Sequence, residues 1–272
     1  MCIRDSYGPA INALQRAIEY LPNEPQLHVD LATVHIATGN ADEAVRILEQ
    51  VAAKSPPYPP ALMRLGDVYI DLGDTARANA QYRRLTVGAD PFPPAYLRLG
   101  DVQHAVGNRE EAMRHYRSAI RIDSTYVDAW LRLGSVLVIM DRYTQAIEAF
   151  DKAAELAPGE PMVTQFRAMA IERRREYQEG VRKGLKRARL IMTETEEEAR
   201  EVRALLDSGA DFIALAMEHS IHPSAEVGGD LGFIEEGDLI PAIESVASRL
   251  RPGEISPVFR LPSGWAILTR VN

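Results

Sequence analysis

The 272-residue sequence predicts an all-α solenoid followed by a small α+β domain. Three observations carry that prediction. Apolar and small residues recur every 34 positions through the first half of the chain. From Lys186 the texture changes to short apolar runs alternating with helical stripes. Aromatic residues are only 7% of the chain, so the core must rest on Leu, Ala, Val and Ile, which suits packed helices. At roughly 150 residues per domain, the length also allows about two domains.

The repeat columns come first in the chain. Ala10, Ala44, Ala78, Ala112 and Ala146 are in phase, as are Leu31, Leu65, Leu99 and Leu133. Gly66, Gly100 and Gly134 keep the same step, with Ala32 in the first slot. Four residues after each alanine stands a large apolar residue: Leu14, Leu48, Tyr82, Tyr116 or Phe150. Within one unit, Trp130, Leu133, Gly134 and Leu137 form the stripe of a first helix. Ala146, Phe150 and Ala153 form the stripe of a second, which Pro158 ends. The small Gly or Ala lets the two helices of a hairpin approach closely.

This pattern closely resembles the tetratricopeptide repeat, whose W-x2-L-G-x2-Y…A-x3-F…P signature is met except for Leu137 in place of tyrosine. The resemblance covers Tyr7 to about Glu160, as one half unit plus four units. Tyr7 to Glu24 fits only a second helix, so its partner helix is expected to be missing, with an apolar face left uncovered. The preceding string Met1-Cys2-Ile3-Arg4-Asp5-Ser6 resembles a translated sequencing-adapter remnant and is set aside. With the natural start in question, the bacterial cell envelope and the cytoplasm both stay open as compartments.

Arrays of this kind present a groove lined by the first helices, which implies a peptide or protein partner. The family's carboxylate clamp of Lys and Asn is absent: its positions carry Val29, Met63, Leu97 and Leu131, then Thr33, Asp67, Asp101 and Ser135. What remains is a ladder of Arg64, Arg98 and Arg132, with Asp67 and Asp101 three residues on. One reading is a polar stripe that orients an extended peptide. The other is a set of i,i+3 ion pairs on a solvated face, each worth about 0.2–0.5 kcal/mol.

After Pro161 the period stops. Residues 161–185 read as a charged helix in which Glu172, Glu176 and Glu179 interleave with Arg167, Arg173, Arg174, Arg175, Arg182 and Lys183. Interleaved signs favour a solvated capping or bridging helix over a nucleic-acid patch. From Lys186 the expected elements are a strand over Ala188–Met192 and a helix opened by the capping box Thr195-x-x-Glu198 and closed at Gly209. A short helix over Phe212–His219 follows, then a sharp turn at Gly228-Gly229-Asp230-Leu231-Gly232. A helix over Ile240–Leu250 and strands over Pro257–Arg260 and Trp265–Val271 complete the module.

These residues resemble a parvulin-type peptidyl-prolyl isomerase domain. The resemblance rests on GADF at Gly209–Phe212, HSIHPS at His219–Ser224, GGDLG at Gly228–Gly232 and PGEIS at Pro252–Ser256. It spans 186–272 and makes the fold class an all-α tetratricopeptide solenoid followed by a small α+β parvulin-like domain. It implies rotation about X–Pro bonds of client proteins, a reaction with a barrier near ~20 kcal/mol. No bond breaks, so no cofactor and no metal is called for. The resemblance places the proline cradle at Leu239 and Ile243, four apart on one helix. It places a first-strand histidine where Leu190 stands, a Cys or Asp where His222 stands, and the Thr-x-Ser-Gly-x-His ending at Leu261-Pro262-Ser263-Gly264-Trp265-Ala266. Candidate catalytic residues are His222 and Ser263. Candidate substrate-binding residues are Leu190, Leu239, Ile243, Leu261 and Trp265.

Two functions follow from a cradle kept in kind and a polar network mostly replaced. One is a slow isomerase in which His222, titrating near neutral pH, donates to the substrate carbonyl. The other is a catalytically degenerate module acting as a non-enzymatic chaperone or peptide-binding scaffold. For His222 the plain alternative is a loop histidine making local hydrogen bonds, and His219-x-x-His222 lacks an evident third zinc ligand. Phosphate-directed relatives carry Lys and Arg after the first strand; here Glu194, Glu196, Glu197 and Glu198 stand there and would repel phosphate. Composition narrows the partners further. A formal charge of 31 − 39 = −8 argues against a general nucleic-acid binder. The longest apolar run, Phe212–Met217, is far short of the ~20 residues of a membrane span. Cys2 is the only cysteine, so no intramolecular disulfide forms. The expected partners are unfolded or proline-containing polypeptide clients and a protein partner in the repeat groove.

Overall fold

The computed structural model describes residues 7–54, 58–87 and 90–272; the six residues set aside above, and the reading made of them, lie outside the described residues. The helical part runs α1 Tyr7–Tyr20, α2 Pro25–Ala37, α3 Ala41–Ala52, α4 Pro59–Asp71, α5 Thr75–Arg84, α6 Pro93–Ala105, α7 Arg109–Ile122, α8 Val127–Ile139, α9 Tyr143–Leu156 and α10 Pro161–Arg182. The second part runs β1 Lys186–Thr193, α11 Glu196–Asp207, α12 Phe212–His219, a 3₁₀ turn Pro223–Val227, β2 Asp230–Ile234, α13 Pro241–Arg249, β3 Phe259–Leu261 and β4 Gly264–Arg270. Two compact units result: the chain up to His104 with Arg109–Leu133, and Ala105–Asn108 with Gly134–Asn272.

The repeat columns have a direct packing cause. A Cβ on Gly66 or Gly100 would lie 2.3 or 2.4 Å from the ring of Tyr82 or Tyr116, and one on Gly134 would lie 2.5 Å from Phe150. The aromatic ring of the second helix thus rests on the bare backbone of the first. In the earliest unit Leu48 replaces the ring, and Ala32 is tolerated; both are fully buried. Gly100→Ala is therefore expected to overpack the hairpin and lower stability by about 1–3 kcal/mol in urea denaturation. Adding Tyr116→Leu, which recreates the Ala32–Leu48 pair, is expected to recover part of that loss.

Another 34-residue column closes the hairpins. Gly39, Gly73 and Gly107 have φ of +81°, +77° and +82°, a left-handed conformation that glycine adopts without Cβ strain. The next member is Asp141 with φ +59°, the non-glycine with positive φ among the described residues. Asp enters this region at a cost, so a reason must exist for it there.

In the second unit, α10 packs on α9 through stacked Phe150 and Phe166, 5.9 Å apart. Its other end carries Tyr177 between Tyr143 and Phe233, at 5.7 and 5.8 Å. Gly180 lies under the Phe233 ring, where a Cβ would come within 2.5 Å. Arg and Glu residues of α10 meet on its exposed side, as Arg173–Glu176 and Arg175–Glu172 do. No helix among the described residues is long and apolar enough to cross a membrane.

The sheet has the order β2-β1-β4-β3 and is antiparallel throughout. β1 and β4 pair as Leu190↔Leu268 and Met192↔Ala266, and β3 adds Phe259↔Ala266. Alternation along β1 gives the sheet two apolar faces. Ala188, Leu190 and Met192 pack with Leu268, Ile243 and Ala247 under α13. Ile191 and Ile267 pack with Val202, Leu206 and Leu215 under α11 and α12. One element departs from expectation: the turn expected over Gly228–Gly232 gives way at Asp230 to strand β2, which runs to Ile234. Gly232 sits within it at φ +73°, and the β1–β2 register shifts between Arg187 and Arg189, so the strand is irregular and carries no alternating pattern. β3 begins at Phe259 rather than Pro257, as suits a proline with no N–H to donate.

Candidate active site

Met192 is where the site converges. Its amide donates to Ser220 Oγ at 3.0 Å, and its carbonyl accepts from the Ile221 amide at 2.7 Å. Its sulfur accepts from Ser263 Oγ at 3.4 Å, and its side chain is buried among Leu190, Ile243, Leu261 and Ala266, with Leu239 packed against the same cluster. The His219–Ser224 string, the β3–β4 turn and the aliphatic face of α13 therefore meet at one residue. Sequence reasoning placed Met192 at the end of a strand and gave it no role. The available signal was its step of two from Leu190.

Leu190 and Ala266, which stand where the resemblance has histidines, are fully buried. They share one face as diagonal neighbours, because Met192 pairs with Ala266 and Leu190 with Leu268. The floor of the site is thus an apolar slab. Leu190, Leu239, Ile243 and Leu261 belong to it. Trp265 does not. It alternates with Ala266, pairs with Thr193, and lies on the opposite side of the sheet with the Arg260 guanidinium 5.4 Å from its ring. The reason is the two-residue period of a strand.

The loop that carries His222 is pinned to β1 by small residues. Gly229 accepts from the Leu190 amide at 2.8 Å, and a Cβ there would come 2.5 Å from Leu190 O. At the other end, a Cβ on Gly264 would come 2.3 Å from Thr193 O, which holds Ser263 close to β1. His222 caps the 3₁₀ turn: its Nδ1 accepts from the Ser224 amide at 3.1 Å and lies 2.8 Å from Ser224 Oγ. An Nδ1 that accepts from an amide carries no proton, so the proton of the neutral ring sits on Nε2. Burial holds the His222 pKa below its ordinary value of 6.5. The sign follows by linkage: the unfolded chain takes up the proton first, so this contribution is whole above about pH 6.5 and is lost as pH falls through the folded pKa. His222→Gln is expected to flatten that part of the stability profile between about pH 7 and 5, read from urea midpoints.

The capping box formed as expected, with Thr195 Oγ1 accepting from the Glu198 amide and Glu198 Oε2 accepting from the Thr195 amide, both at 3.2 Å. This keeps the acidic run at the first turn of α11. Among the described residues, no group of three His, Cys, Asp or Glu is placed to hold a metal ion.

Beneath the His222 loop lies a buried charge cluster that sequence reasoning missed. Arg187 bonds both carboxylate oxygens of Asp230, and also Asp141 Oδ1 at 2.7 Å and Tyr143 Oη at 2.9 Å. Arg189 reaches Asp141 Oδ2 at 3.3 Å and the Gly228 carbonyl at 3.4 Å. Asp230 also accepts from the Gly232 amide at 3.0 Å, fixing the glycine-rich turn. Burial alone would raise the Asp230 pKa; the bonded Arg187 outweighs it and holds the carboxyl below the ordinary range. Burial, then the bonded Asp141, push the Tyr143 hydroxyl up to about 12. The left-handed Asp141 in a glycine column now has its reason: it places one carboxylate between two arginines of β1.

The ladder residues take a definite arrangement in the first unit. Arg98 Nε lies 3.1 Å from Asp67 of the preceding repeat, and Arg132 Nε lies 3.4 Å from Asp101. The Arg98–Asp101 pair within α6 is longer, at 3.7 Å. Tyr82 and Tyr116 donate to Asp67 and Asp101 at 2.8 and 2.9 Å. The ladder is therefore chiefly a link between repeats rather than a set of i,i+3 pairs.

Comparison with known proteins agrees with both halves. Residues 187–272 match the family described as Rotamase, PPIC-type PPIASE domain, and residues 5–54, 39–100 and 103–170 match the tetratricopeptide repeat. The chain is 46% identical over 68 residues to the chaperone SurA of Nitrosospira multiformis, over 25% of this chain and 16% of that protein. It is 41% identical over 83 residues to the foldase protein PrsA of Geobacillus kaustophilus, over 30% of each. The chain thus spans less than a third of the length of these curated relatives. A thermophilic TPR protein in Thermus thermophilus superimposes with a TM-score of 0.51 at 22% identity, over 61% of this chain and 91% of that one, a likeness of fold alone.

Proposed function

The chain belongs to the tetratricopeptide-repeat family and ends in a PPIC-type peptidyl-prolyl isomerase domain, and on that premise we propose that it is a folding factor that turns X–Pro bonds in client polypeptides. The observation that carries the proposal is the apolar cluster of Met192, Ile243, Leu261 and Ala266, with the partly buried Leu239 packed against it and the His222 loop and Ser263 joined to it through Met192. The names of the relatives, a chaperone and a foldase, support the same reading.

In this proposal that cluster is a slot that holds the pyrrolidine ring against Leu239, Ile243 and Met192. The planar amide has more charge separation than the twisted one, so a dry aliphatic wall weakens amide resonance and favours rotation. His222 Nε2–H donates to the substrate carbonyl as the nitrogen becomes pyramidal. Among the described residues the Ser263 hydroxyl donates to a thioether, a weak acceptor, and gives that bond up to substrate at little cost. The repeat array binds the client or a partner protein. Glu194, Glu196, Glu197 and Glu198 make acidic residues before the proline unfavourable, so a phosphoserine-Pro peptide is expected to turn over more slowly than the matching Ala-Pro peptide in a protease-coupled assay.

Proline-limited refolding of a model protein tests the function. The intact chain is expected to shorten the slow phase in proportion to its concentration, and His222→Ala to weaken that effect. An intact chain that suppresses client aggregation but leaves the slow phase unchanged would instead make the domain a non-catalytic binder.

A further inference from the structure

The turn inside each hairpin of the array recurs at Gly39, Gly73, Gly107 and Asp141. The first two turns are open: a Cβ on Gly39 or Gly73 would meet nothing within 4 Å. The next two are occupied. A Cβ on Gly107 would come 2.5 Å from the methyl of Ala214 on α12. Asp141 takes the Arg189 guanidinium at 3.3 Å, and the same guanidinium holds the Gly228 carbonyl at 3.4 Å. Both turns lie in one compact unit with the sheet, which groups Ala105–Asn108 with Gly134–Asn272. Ala214 and Gly228 bracket the segment that carries His222: α12 leads into Ser220, and Gly228 closes the 3₁₀ turn that His222 opens. The brackets also meet each other, because a Cβ on Gly228 would come 2.2 Å from Ile213. Between them the segment is fastened to β1, where Ser220 Oγ accepts from the Met192 amide at 3.0 Å and from the His222 amide at 3.3 Å. At each bracket, a turn of the repeat array bears on the segment.

We infer that the isomerase site is composite: the turns at Gly107 and Asp141 set the place of His222, and Asp141 is a positioning residue for the reaction, acting through Arg189 and the Gly228 carbonyl. This rests on the proposed isomerase activity and names the part of the repeat array that serves it. Asp in the left-handed region costs energy that Gly avoids, and such strain persists where the position has work to do. Arg189 is buried, so its bonds to Asp141 and Gly228 are shielded from water and make a stiff link. A donor displaced by about 1 Å can lose about 100-fold in rate, so small shifts of the segment matter. The apolar cluster at Met192 is built by β1, α13, β3 and β4, and its hold on proline does not depend on either turn. Loss of the link therefore acts on the rotation step and spares binding.

The test is a protease-coupled assay of an Ala-Pro peptide with the full chain, with rates taken per folded molecule below the melting range of every variant. Asp141→Asn and Arg189→Gln are each expected to lower kcat on the order of tenfold, and no further than His222→Ala does, with KM within about twofold of the parent. The double variant Asp141→Asn/Arg189→Gln removes both charges. It is expected to melt higher than Asp141→Asn while kcat stays low, whereas a merely structural role would restore the two together. Gly107→Ala drives a methyl at Ala214 and is expected to lower kcat in the same way. Gly73→Ala has the same backbone strain with nothing to push against, and is expected to leave kcat unchanged. In a His222→Ala background, none of these substitutions is expected to lower kcat further. An unchanged kcat in the folded double variant and in Gly107→Ala, or losses that persist undiminished without His222, would overturn the inference and leave the isomerase reading standing. A parent chain with no rate above background would overturn that reading, and the inference with it.

Discussion

Replacing Ile243 by alanine is expected to cut the isomerase rate of the intact chain by about tenfold or more, with kcat/KM falling and the fold retained. Ile243 is buried on α13 and packs with Leu190, Met192 and Leu261 over the sheet. Truncation removes one wall of the slot, so a proline ring is held less firmly and water reaches the amide. Both changes weaken interactions that are strongest when the amide is twisted. The same truncation leaves a cavity and costs about 2–5 kcal/mol of stability, so the melting curve must be recorded alongside the rate. Leu239→Ala separates the two effects. Leu239 is only partly buried and its amide is held by Glu244 at 3.1 Å, so the backbone keeps its place while the side chain is lost. A comparable loss of rate in Leu239→Ala at near-normal stability assigns the effect to the slot. Two folded variants with unimpaired rates would remove the slot from the mechanism.

The second large effect is expected at Asp141. Asp141→Asn retains a side chain that tolerates a left-handed backbone but removes the charge shared by Arg187 and Arg189. Breaking a buried ion pair from one side leaves the other charge uncompensated, with a cost of about 3 kcal/mol. Asp141→Gly is the sharper variant. It restores the residue found at Gly39, Gly73 and Gly107 and removes the left-handed strain of about 1 kcal/mol. If the turn alone mattered, it would stabilise. The expected result is a clear loss, because Arg189 then holds only the Gly228 carbonyl. Trp265 fluorescence in a Trp130→Phe background reports the unfolding of the sheet in urea. An Asp141→Gly protein as stable as the parent would contradict the role given to the cluster. The cluster also implies that Lys186–Asn272 cut from the chain would leave Arg187 and Arg189 short of a partner, so activity is best measured on the full chain.

The repeat was legible because it is a packing rule written many times over. Gly66, Gly100 and Gly134 each sit under a ring, and the columns repeat because that contact repeats. The glycine-rich string at Gly228–Gly232 was legible as a sharp turn, and Gly228 and Gly229 do take left-handed φ of +67° and +79°; that Gly229 also lies against the Leu190 backbone was not. Strand β2 was not legible, because Gly232 and the shifted register erase its alternation. Trp265 entered the candidate site by its place in a string, although the strand period turns it to the far face. The charge cluster was hidden for a different reason. Its members, Asp141, Arg187, Arg189 and Asp230, are separated by up to 89 positions (230 − 141) and form no local motif. One signal was present: Asp141 breaks a glycine column of period 34. Met192 was overlooked because its role depends on three segments meeting, which no single string records.

In the proposed function, the aliphatic cluster at Met192 holds a proline and speeds rotation of its amide. Exchange spectroscopy on a short Ala-Pro peptide mixed with the intact chain measures this directly. Cis–trans cross-peaks are expected at mixing times where the peptide alone gives none, together with shifts of the Met192, Leu239 and Ile243 methyl resonances. An unchanged exchange rate with unmoved methyl resonances at saturating peptide would contradict it.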